Sequence, residues 1–360
     1  MTIEDSLELR ERLRAEGLFL GFDQVGFAPA APPRNADAYR RWLDNGWHGE
    51  MAYMGREDAV RRRLDPSEAL PDCGSIIMVS RSYGAPGVDA SPFVARYAHG
   101  RDYHLVFEEL LKELAARIEE LAPEATCKPY VDYGPVMERD HAQRAGLGWI
   151  GKNTMLINPR LGSYLLLGEL LTTLDLPPDE AFTADRCGTC RRCIEACPTG
   201  AIHEGERAVD ARLCISYLTI ELRGSIPVEL RPLIGNRVFG CDICQEVCPW
   251  NADGEAGSDA GPNTGPETEP SVGSPSVGSP WAAAAMIEWA EELLGMDEER
   301  YRDRYRDTAL SRPRRDGMLR NLCVGLGNSG DPQARRTLER CARDSSPVVR
   351  EHATWALERL

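Results

Sequence analysis

Residues 187–198 read CGTCRRCIEACP, and the fold of this 360-residue chain is organised around them. The spacing of the four cysteines, C-x2-C-x2-C-x3-C-P, is the one by which bacterial ferredoxins hold a 4Fe-4S cluster. Two-residue gaps let the first three thiols converge on one cluster, while the cysteine before the proline ligates another. The stretch therefore predicts a segment folded around inorganic clusters rather than around a hydrophobic core.

A second run, CDICQEVCP at residues 241–249, repeats the end of this pattern. Val238 stands where its first cysteine would be, so Cys214 is the natural replacement from outside the run. Crossing the fourth ligands then completes two sites of four thiolates each. The predicted ligands are Cys187, Cys190, Cys193 and Cys248 for one 4Fe-4S cluster, and Cys197, Cys214, Cys241 and Cys244 for the other.

Zinc is the alternative occupant, because paired C-x2-C knuckles also bind zinc through four thiolates. Three evenly spaced cysteines and a C-x3-C-P ending, in a pattern used twice, favour iron–sulfur clusters. The other four cysteines are expected to be buried apolar thiols: Cys73, Cys127, Cys323 and Cys341.

The composition limits the class of protein. With 42 Lys and Arg against 57 Asp and Glu, the formal net charge is −15, and 42% of residues are hydrophobic. This excludes wholesale disorder, and the length predicts two or three domains. The opening MTIEDSLELRERLRAEG lacks the apolar core of a signal peptide, and no run of about 18 apolar residues follows. We therefore expect a cytoplasmic protein without a membrane partner and without disulfides.

Residues 1–180 alternate amphipathic and short apolar stretches, which predicts a mixed α+β layer fold. Tyr103 to Leu121 has helical periodicity, and Ser75 to Ser80 and Ser163 to Leu167 are typical of buried strands. Residues 181–251 carry the cysteine runs and little periodicity. A sheet-containing domain followed by a cluster domain is therefore expected.

The last third of the chain begins with an abrupt change in composition. Residues 252–280 contain a tandem SVGSP repeat and few apolar side chains, which predicts a disordered linker or insertion. Residues 281–360 are helical in pattern, and Asp331 and Ser346 each precede a proline, as a capping residue does at a helix start. Two antiparallel helices are expected there, as one unit of an α-solenoid.

Gly146, Gly148 and Gly151 spell G-x-G-x-x-G, the spacing of a dinucleotide site. Such a fingerprint follows a strand and opens a helix, whereas here a helix is predicted before it and a strand after it. The glycines are instead expected to permit close approach of backbone to a neighbouring element.

The surrounding stretch VDYGPVMERDHAQRAGLGWIGKN, residues 131–153, is unusually polar. Asp132 precedes a Gly-Pro turn, where a carboxyl group is well placed to donate a proton if burial raises its pKa. A turn-stabilising role is the equal alternative. Asp140 and Arg144, at helical spacing, are expected to form a solvated pair.

Residues 300–320, RYRDRYRDTALSRPRRDGMLR, hold eight arginines against three aspartates in an otherwise acidic chain. Arginines interleaved with Tyr301 and Tyr305 suit phosphate contact and base stacking. The alternative is a solvated helix face with Asp–Arg pairs. The candidate nucleic-acid contacts are Arg312, Arg314, Arg315 and Arg320.

These motifs together resemble the epoxyqueuosine reductase family. The resemblance rests on MAYMGRE at residue 51, the 131–153 stretch, CISYLTIE at 214, CDICQEVCPWN at 241, and the ending RNLCVGLGNSGD…SPVVREHATWAL, and it spans nearly all of the chain except residues 252–280. It implies a nitroreductase-like cobalamin-binding domain (1–180), a ferredoxin-like two-cluster domain (181–251) and a HEAT-like tRNA-binding domain (281–360).

The resemblance also implies a reaction. Electrons would pass through two 4Fe-4S clusters to cobalamin and reduce the epoxide of epoxyqueuosine at the wobble position of tRNA, with Asp132 as the proton donor. A flavodoxin or ferredoxin would supply the electrons, and the protein would be a monomer. The residues implied to line the cobalamin site are Arg56, Lys152, Asn153, Thr154, Ser163, Tyr164, Ser216, Glu246 and Val247.

Cobalamin itself is not indicated by any motif. Some corrinoid proteins supply a histidine to cobalt from a D-x-H-x-x-G loop, but Asp102-Tyr103-His104 is followed by Phe107 where the glycine would be. Two rival functions remain open at this point: a noncatalytic electron-transfer module with a helical docking domain, and a reductive dehalogenase of a small molecule.

Overall fold

The computed structural model describes residues 3–83, 93–251 and 280–360. The predicted insertion, 252–280, lies outside these ranges except for its last residue, Pro280, which begins a helix. Within them, no helix combines the length and the apolar character needed to cross a membrane.

A four-stranded sheet forms the centre of the N-terminal part, in the order β1-β2-β6-β3 with every pairing antiparallel. A separate two-stranded ribbon pairs β4 with β5. The elements are α1 (Ile3–Phe19), β1 (Gln24–Pro29), α2 (Ala36–Asp44), α3 (Glu57–Leu64), α4 (Pro66–Ala69), β2 (Ser75–Ser82), α5 (Tyr103–Leu121), β3 (Cys127–Tyr130), α6 (Glu138–Arg144), β4 (Trp149–Ile150), β5 (Leu156–Ile157) and β6 (Leu165–Thr172).

Helices cover both faces of this sheet, which explains why β2 is an uninterrupted apolar run rather than an alternating one. Ile77 and Val79 enter a core beneath α1 and α5, whereas Ile76 and Met78 enter a second core beneath α6. Successive side chains of a strand point to opposite faces, so both sets are buried. The predicted mixed helix-and-sheet organisation is confirmed.

One of the three predicted elements has the expected bounds, and a second starts as expected but is longer. The helix from Tyr103 to Leu121 is confirmed, and the strand predicted from Ser75 to Ser80 continues to Ser82. The third prediction was shifted: β6 begins at Leu165 and ends at Thr172. Ser163 instead bonds to residues of the second cysteine run, which holds it outside the ladder.

The cysteine segment consists of short elements joined by turns. They are α7 (Arg192–Ala196), β7 (Ile202–His203), β8 (Ala208–Val209), α8 (Ile215–Ile220), α9 (Arg231–Ile234) and α10 (Ile243–Glu246), with β7 and β8 forming a two-stranded ribbon. Helices this short are marginal by themselves, so other interactions must hold the segment together.

Five helices form the C-terminal part: α11 (Pro280–Leu294), α12 (Glu298–Tyr305), α13 (Arg314–Ser329), α14 (Arg335–Cys341) and α15 (Pro347–Leu357). Helix α13 is central, and Gly327 lets α15 approach so closely that a Cβ there would lie 2.8 Å from Ala356. Their core also contains Ile220, Val238 and Phe239 of the cysteine segment.

The predicted helix pair at the C-terminus is present, but only one of its two caps forms. The Asp331 carboxylate accepts a hydrogen bond from the Gln333 amide at 2.9 Å. Ser346 makes no side-chain cap; its own amide donates to Asp344 at 2.9 Å. The proline after Ser346 still starts α15, because its fixed φ suits the first helical position.

Candidate cluster and substrate site

All twelve cysteines are free thiols, and four of them form a first group around the first cysteine run. Burial, together with the nearby charges of Cys187, Cys193 and Cys190, raises the pKa of Cys248 to about 11. These are the four residues expected to hold one cluster. Metal binding displaces the protons of its thiol ligands, so the four cysteines become thiolates that repel one another. A bound cationic centre offsets this repulsion.

The second group brings Cys214 to the other run. Burial raises the pKa of Cys241 to about 12, and Cys214 is among the charges that raise it. Cys244 is shifted still further by burial and by Cys241, Cys214 and Cys193, and Cys214 in turn is affected by Cys197. The influence of Cys193 on Cys244 places the two groups next to each other.

The four other cysteines belong to neither group. Cys323 and Cys341 are completely buried beside each other in the C-terminal core, as expected for apolar thiols. Cys73 and Cys127 are only half-buried, and each is in the N-terminal part.

Two residues of the G-x-G-x-x-G region hold the first cysteine loop in place. The Trp149 indole donates to Cys187 Sγ at 3.5 Å, and the Lys152 ammonium donates to the carbonyls of Gly188 and Cys190 at 2.8 and 2.9 Å. Hydrogen bonds to cluster sulfurs and burial set the potential of such centres. Lys152, expected at cobalamin, therefore positions the cluster loop.

Gly148 in this region allows close backbone approach, as the sequence suggested. A Cβ at Gly148 would lie 2.2 Å from the carbonyl oxygen of Ile157, so only glycine lets β5 come this near. Nothing in the helix-before, strand-after context of α6 and β4 resembles a dinucleotide fingerprint.

A polar seam joins the sheet to the second cysteine run. Ser163 Oγ donates to Gln245 Oε1 at 3.0 Å, and its amide donates to Asn251 Oδ1 at 2.7 Å. The Asn153 side chain donates to the carbonyl of Cys244 at 3.2 Å. Both residues were expected at cobalamin, and the structure shows them bonded to protein groups that orient the second run.

Tyr164 differs from these residues because its hydroxyl is buried with no hydrogen-bond partner among residues 3–83, 93–251 and 280–360. The Arg96 guanidinium lies 4.7 Å from the centre of its ring, and burial raises the pKa of the phenol. A buried hydroxyl without a partner destabilises a protein unless a ligand satisfies it. The amide groups around a corrin ring can do so, and in this respect the residues present fit cobalamin.

The other expected cobalamin contacts have varied surroundings. Glu246 ends α10, Val247 follows it, and Ser216 lies in α8 two residues after Cys214, all partly buried. Thr154 has a left-handed backbone, with φ of 65°. Arg56 is 63% exposed and pairs with Asp58 at 2.8 Å, so no contact ties it to this seam.

Asp132 lies on a loop after β3 that folds back over Tyr130. Gly134 makes this fold possible, because a Cβ there would lie 2.7 Å from the Tyr130 ring. Asp132 itself has φ of 49°, a left-handed conformation that aspartate tolerates better than most residues. Its carboxylate accepts from the Tyr103 hydroxyl at 2.7 Å rather than from its own turn, which disfavours the turn-stabilising alternative.

The Asp132 carboxyl is ionised in this arrangement. Desolvation raises its pKa, but hydrogen bonds from His104 and Tyr103 outweigh this effect and lower the pKa to about 2. The Glu138 side chain accepts from the Asp132 amide, and burial together with the charge of Asp132 raises the pKa of Glu138 well above its usual value. Burial alone therefore does not give Asp132 the raised pKa that was the condition for a proton donor at this position.

Tyr97 connects the Asp132 loop to the cluster segment. Burial raises the pKa of its phenol, and the carboxylates of Asp132, Asp242 and Glu221 raise it further. Asp242 lies in the second cysteine run, so Tyr97 is close enough to both Asp132 and that run for their charges to act on its phenol.

Comparison with known proteins agrees with this arrangement. Residues 186–251 match the family model of a 4Fe-4S double cluster binding domain, and residues 63–133 match the model described as epoxyqueuosine reductase QueG. A Pseudomonas aeruginosa protein named epoxyqueuosine reductase is 41% identical over 369 aligned residues, covering 99% of this chain and 95% of its own. The chain belongs to the epoxyqueuosine reductase family. It is therefore an oxidoreductase, as the sequence predicted.

Solved epoxyqueuosine reductases have the same fold. One, in complex with an epoxyqueuosine-modified tRNA-Tyr stem loop, has a TM-score of 0.80 at 28% identity, covering 98% of this chain and 90% of its own. Another, from Bacillus subtilis, has its aspartate-bearing catalytic loop swung out of the active site, with a TM-score of 0.79, 28% identity and the same coverage.

Two of the four arginines proposed as nucleic-acid contacts are buried inside the protein. Arg320 is completely buried and donates to the carbonyls of Leu218, Leu222 and Gly224 at 2.7 to 2.8 Å. Arg315 is 9% exposed and pairs with Asp344 at 2.7 Å. Neither guanidinium has donors available for a phosphate, and both assignments are corrected for this reason.

The tyrosines and the other two arginines of this segment also differ from the expected pattern. Tyr301 and Tyr305 are buried and cannot stack on bases. Arg314 is exposed, whereas the Arg312 guanidinium lies 2.6 Å from His104 Nδ1 and 3.3 Å from Asp102. Of the four candidates, only Arg314 has the expected exposure.

The expected solvated pair Asp140–Arg144 was also wrong. Asp140 is buried and accepts from the amides of Arg34 and Asn35 at 3.1 and 2.8 Å. Arg144 donates to the carbonyls of Ala31 and Pro29 at 2.7 and 2.8 Å. Each residue anchors the loop after β1. Helical spacing correctly indicates that the two side chains lie on one face of α6, but it does not predict that this face is covered by the loop.

Sequence reasoning missed the immediate neighbours of Asp132, namely Tyr103, His104 and Arg312. The sequence signal for these neighbours is Asp102-Tyr103-His104, which lacks the glycine of the D-x-H-x-x-G loop of corrinoid proteins. Aspartate before a predicted helix does indicate an N-cap, and the Asp102 carboxylate caps α5 by accepting from the His104 amide at 3.1 Å.

Proposed function

We propose that this protein reduces the epoxide of epoxyqueuosine to queuosine at the wobble position of tRNA. The proposal is carried by a hydrogen-bonded carboxylate, Asp132, in a member of the epoxyqueuosine reductase family that also has two groups of four thiols. Asp132 and, from the second cysteine run, Asp242 both act on the phenol of Tyr97. Converting an epoxide to an alkene and water consumes two electrons and two protons. The reaction therefore needs an electron path and an acid.

The thiol groups supply the electron path in this proposal. Cys187, Cys190, Cys193 and Cys248 hold one 4Fe-4S cluster, and Cys197, Cys214, Cys241 and Cys244 hold the other. Adjacent clusters can pass electrons singly, which suits a one-electron donor such as a flavodoxin or ferredoxin. Trp149, donating to Cys187, tunes the first cluster, and Lys152 orders its loop.

Cobalamin is assigned to the space beside the second cysteine run. A bound cobalamin would supply a low-valent cobalt capable of reducing a carbon–oxygen bond. Tyr164 would satisfy its buried hydroxyl on the cofactor, with Thr154, Ser216, Glu246 and Val247 around it. The cysteine runs beside this space are held in place by Asn153, Ser163 and Lys152. Of the residues expected at cobalamin, Arg56 has the least support.

Asp132 provides the acid. Its carboxylate oxygen is positioned by Tyr103 and by the left-handed backbone of the loop, and the side chain is 57% exposed, so a substrate can reach it. The catalytic loop of the Bacillus subtilis relative, which also carries an aspartate, supports this role. Because the resting carboxyl is ionised, it must acquire a proton before it can act.

The substrate is a tRNA carrying epoxyqueuosine, in line with the stem-loop complex of a relative. Arg314, exposed at the start of α13, is the retained phosphate contact. The same proposal includes the domain organisation: a nitroreductase-like domain and a ferredoxin-like domain that meet near residue 180, and HEAT-like helices that begin near residue 280. It also includes a cytoplasmic location and a monomeric state.

An anaerobic conversion assay tests the function. Reconstituted protein is incubated with cobalamin, a strong chemical reductant and epoxyqueuosine-containing tRNA, and the digested nucleosides are identified by mass spectrometry. Queuosine is expected only when cobalamin is present. Protein that holds both clusters but binds no cobalamin would point to an electron-transfer module, and turnover of an organohalide without tRNA binding would point to a dehalogenase.

Asp132→Asn is the variant that tests the acid. It keeps the left-handed backbone and a hydrogen bond to Tyr103 but cannot deliver a carboxyl proton, so turnover should fall by about 10²-fold or more with tRNA binding retained. Asp37→Asn, which removes an 83% exposed carboxylate on α2, is the matched control and should leave turnover unchanged. Full activity in Asp132→Asn would eliminate this residue as the acid.

A further inference from the structure

His104 connects Asp132 to two charged residues that the reaction as proposed above does not use. Its Nε2 lies 3.4 Å from Asp132 Oδ2, and its Nδ1 lies 2.9 Å from Asp102 Oδ1. The Arg312 guanidinium lies 2.6 Å from the same Nδ1 and 3.3 Å from Asp102 Oδ1. The His104 side chain is only 15% exposed, whereas the Asp132 side chain is 57% exposed.

We propose that His104 loads Asp132 with the proton used in the reaction, and that Arg312 adjusts how readily His104 releases it. This inference rests on the proposed function and adds a proton path to it. His104 acts through Asp132 and is a positioning residue of the site. The path runs from solvent to His104, then to Asp132, then to the departing epoxide oxygen.

The transfer is balanced without any further reactant. In the charged ring both nitrogens carry a proton. Nδ1–H donates to Asp102, the neighbouring Arg312 N–H is directed to the Asp102 carboxylate rather than to Nδ1, and Nε2–H faces the ionised Asp132 carboxylate. The Nε2–H bond breaks, its electron pair stays on the nitrogen, and an O–H bond forms on Asp132 Oδ2. His104 is left neutral with Nδ1–H still bonded to Asp102, and a solvent proton restores the charged ring.

The groups around His104 act in opposite directions on its proton. Burial lowers the pKa of His104, but hydrogen bonds to Asp102 and Asp132 outweigh it and raise the pKa overall, with Arg312 opposing them. A guanidinium has no acceptor and stays charged, so Arg312 disfavours the imidazolium at every accessible pH. The groups facing His104 are Asp102, Tyr103 and Glu108 from α5 and its cap, Asp132 and Tyr133 from the loop after β3, and Arg312 before α13.

Two other neighbours of Asp132 are poorer proton sources. The Tyr103 hydroxyl donates to Asp132 at 2.7 Å, but burial and the charge of Asp132 raise its pKa, so it retains its proton. The Glu138 side chain contacts the backbone amide of Asp132 rather than its carboxylate. His104 is the titrating group whose nitrogen faces the carboxylate oxygen itself.

The test is the pH dependence of steady-state conversion of epoxyqueuosine tRNA under excess chemical reductant. Wild-type activity should decline as pH rises through the pKa of His104, because the imidazolium is lost. His104→Gln should lower the rate by about 10²-fold and remove this decline. Arg312→Gln should move the decline to higher pH, since a charge that disfavours the imidazolium has been removed.

Glu113→Gln, which removes a 54% exposed carboxylate from the same helix, is the matched control and should retain the wild-type profile. Iron content and tRNA binding of each variant establish that it is folded. If wild-type protein converts tRNA but His104→Gln keeps its rate and its decline, or if Glu138→Gln removes the decline instead, the inference is overturned. No conversion by wild-type protein at any pH would count against the proposed function itself.

Discussion

Two stretches of the chain each contain eight copies of one functional residue: residues 187–248 contain eight cysteines, and residues 300–320 contain eight arginines. Among the thiols, Cys248 lies near enough to Cys187, Cys190 and Cys193 for their charges to raise its pKa. The arginines divide: Arg320 is completely buried while Arg314 is exposed. Ligand spacing is a local geometric constraint, whereas an arginine is equally suited to a phosphate, a carboxylate or a set of carbonyls, and distant parts of the chain decide which it meets.

Replacing Cys244 by alanine tests the cysteine side of this comparison and should have the largest effect. Iron should fall from about eight to about four atoms per chain, because one four-thiolate site is incomplete. Conversion of tRNA should stop because the electron path is broken. Iron analysis and EPR of the reduced protein measure the loss.

Cys127→Ala provides the control for this variant, since Cys127 is a half-buried thiol outside both groups. It should retain about eight iron atoms. A Cys244→Ala protein with full iron content would remove Cys244 from the proposed ligands.

Arg320→Met tests the arginine side. The carbonyls of Leu218, Leu222 and Gly224 would lose a buried donor, which should lower the free energy of unfolding by about 3 kcal/mol. Urea denaturation measures the change. Arg314→Met, at an exposed position six residues earlier, should change it by no more than about 0.5 kcal/mol. Equal stability of the two variants would contradict the structural role of Arg320.

His352 makes the stability of the same region depend on pH. It is completely buried, its Nε2 accepts from the Ile226 amide at 3.1 Å, and burial lowers its pKa from 6.5 to about 4. The folded protein favours the neutral ring, so stability is complete above pH 6.5 and is lost as pH falls toward 4, by about 1.4 kcal/mol per pH unit.

Urea midpoints at pH 7.5, 6.5 and 5.5 measure this dependence for wild-type protein and His352→Gln. The variant should be less stable at pH 7.5, yet its further loss below pH 6.5 should be smaller than that of the wild type. Parallel curves for the two proteins would show that His352 is not the titrating group.

Arg314→Ala should have the smallest effect. If Arg314 contacts one phosphate, tRNA affinity should fall by less than about tenfold and the slope of log K against log salt should decrease by about one. Arg40→Ala, at a 53% exposed arginine on α2, should leave both unchanged. Identical salt slopes for the two variants would show that Arg314 does not contact a phosphate of the tRNA.

The parts of the fold that sequence predicted well depend on short-range patterns. Helix α5 has its expected bounds because apolar residues recur along one face, and the thiol groups follow from spacing. The surroundings of Asp132 were not predictable in this way. They combine the first turn of α5, the loop after β3 and Arg312, which is 180 positions from Asp132 in sequence, and no periodicity connects such distant residues.

The core shared between the cysteine segment and the C-terminal helices has a consequence for folding. Because Ile220, Val238 and Phe239 pack together with Met286, Leu319 and their neighbours, neither part can open without exposing apolar surface of the other. The two should unfold in one cooperative transition, and their amides should exchange with solvent at similar free energies. A chain truncated before α11 would lose the support of its cluster segment as well as a binding surface.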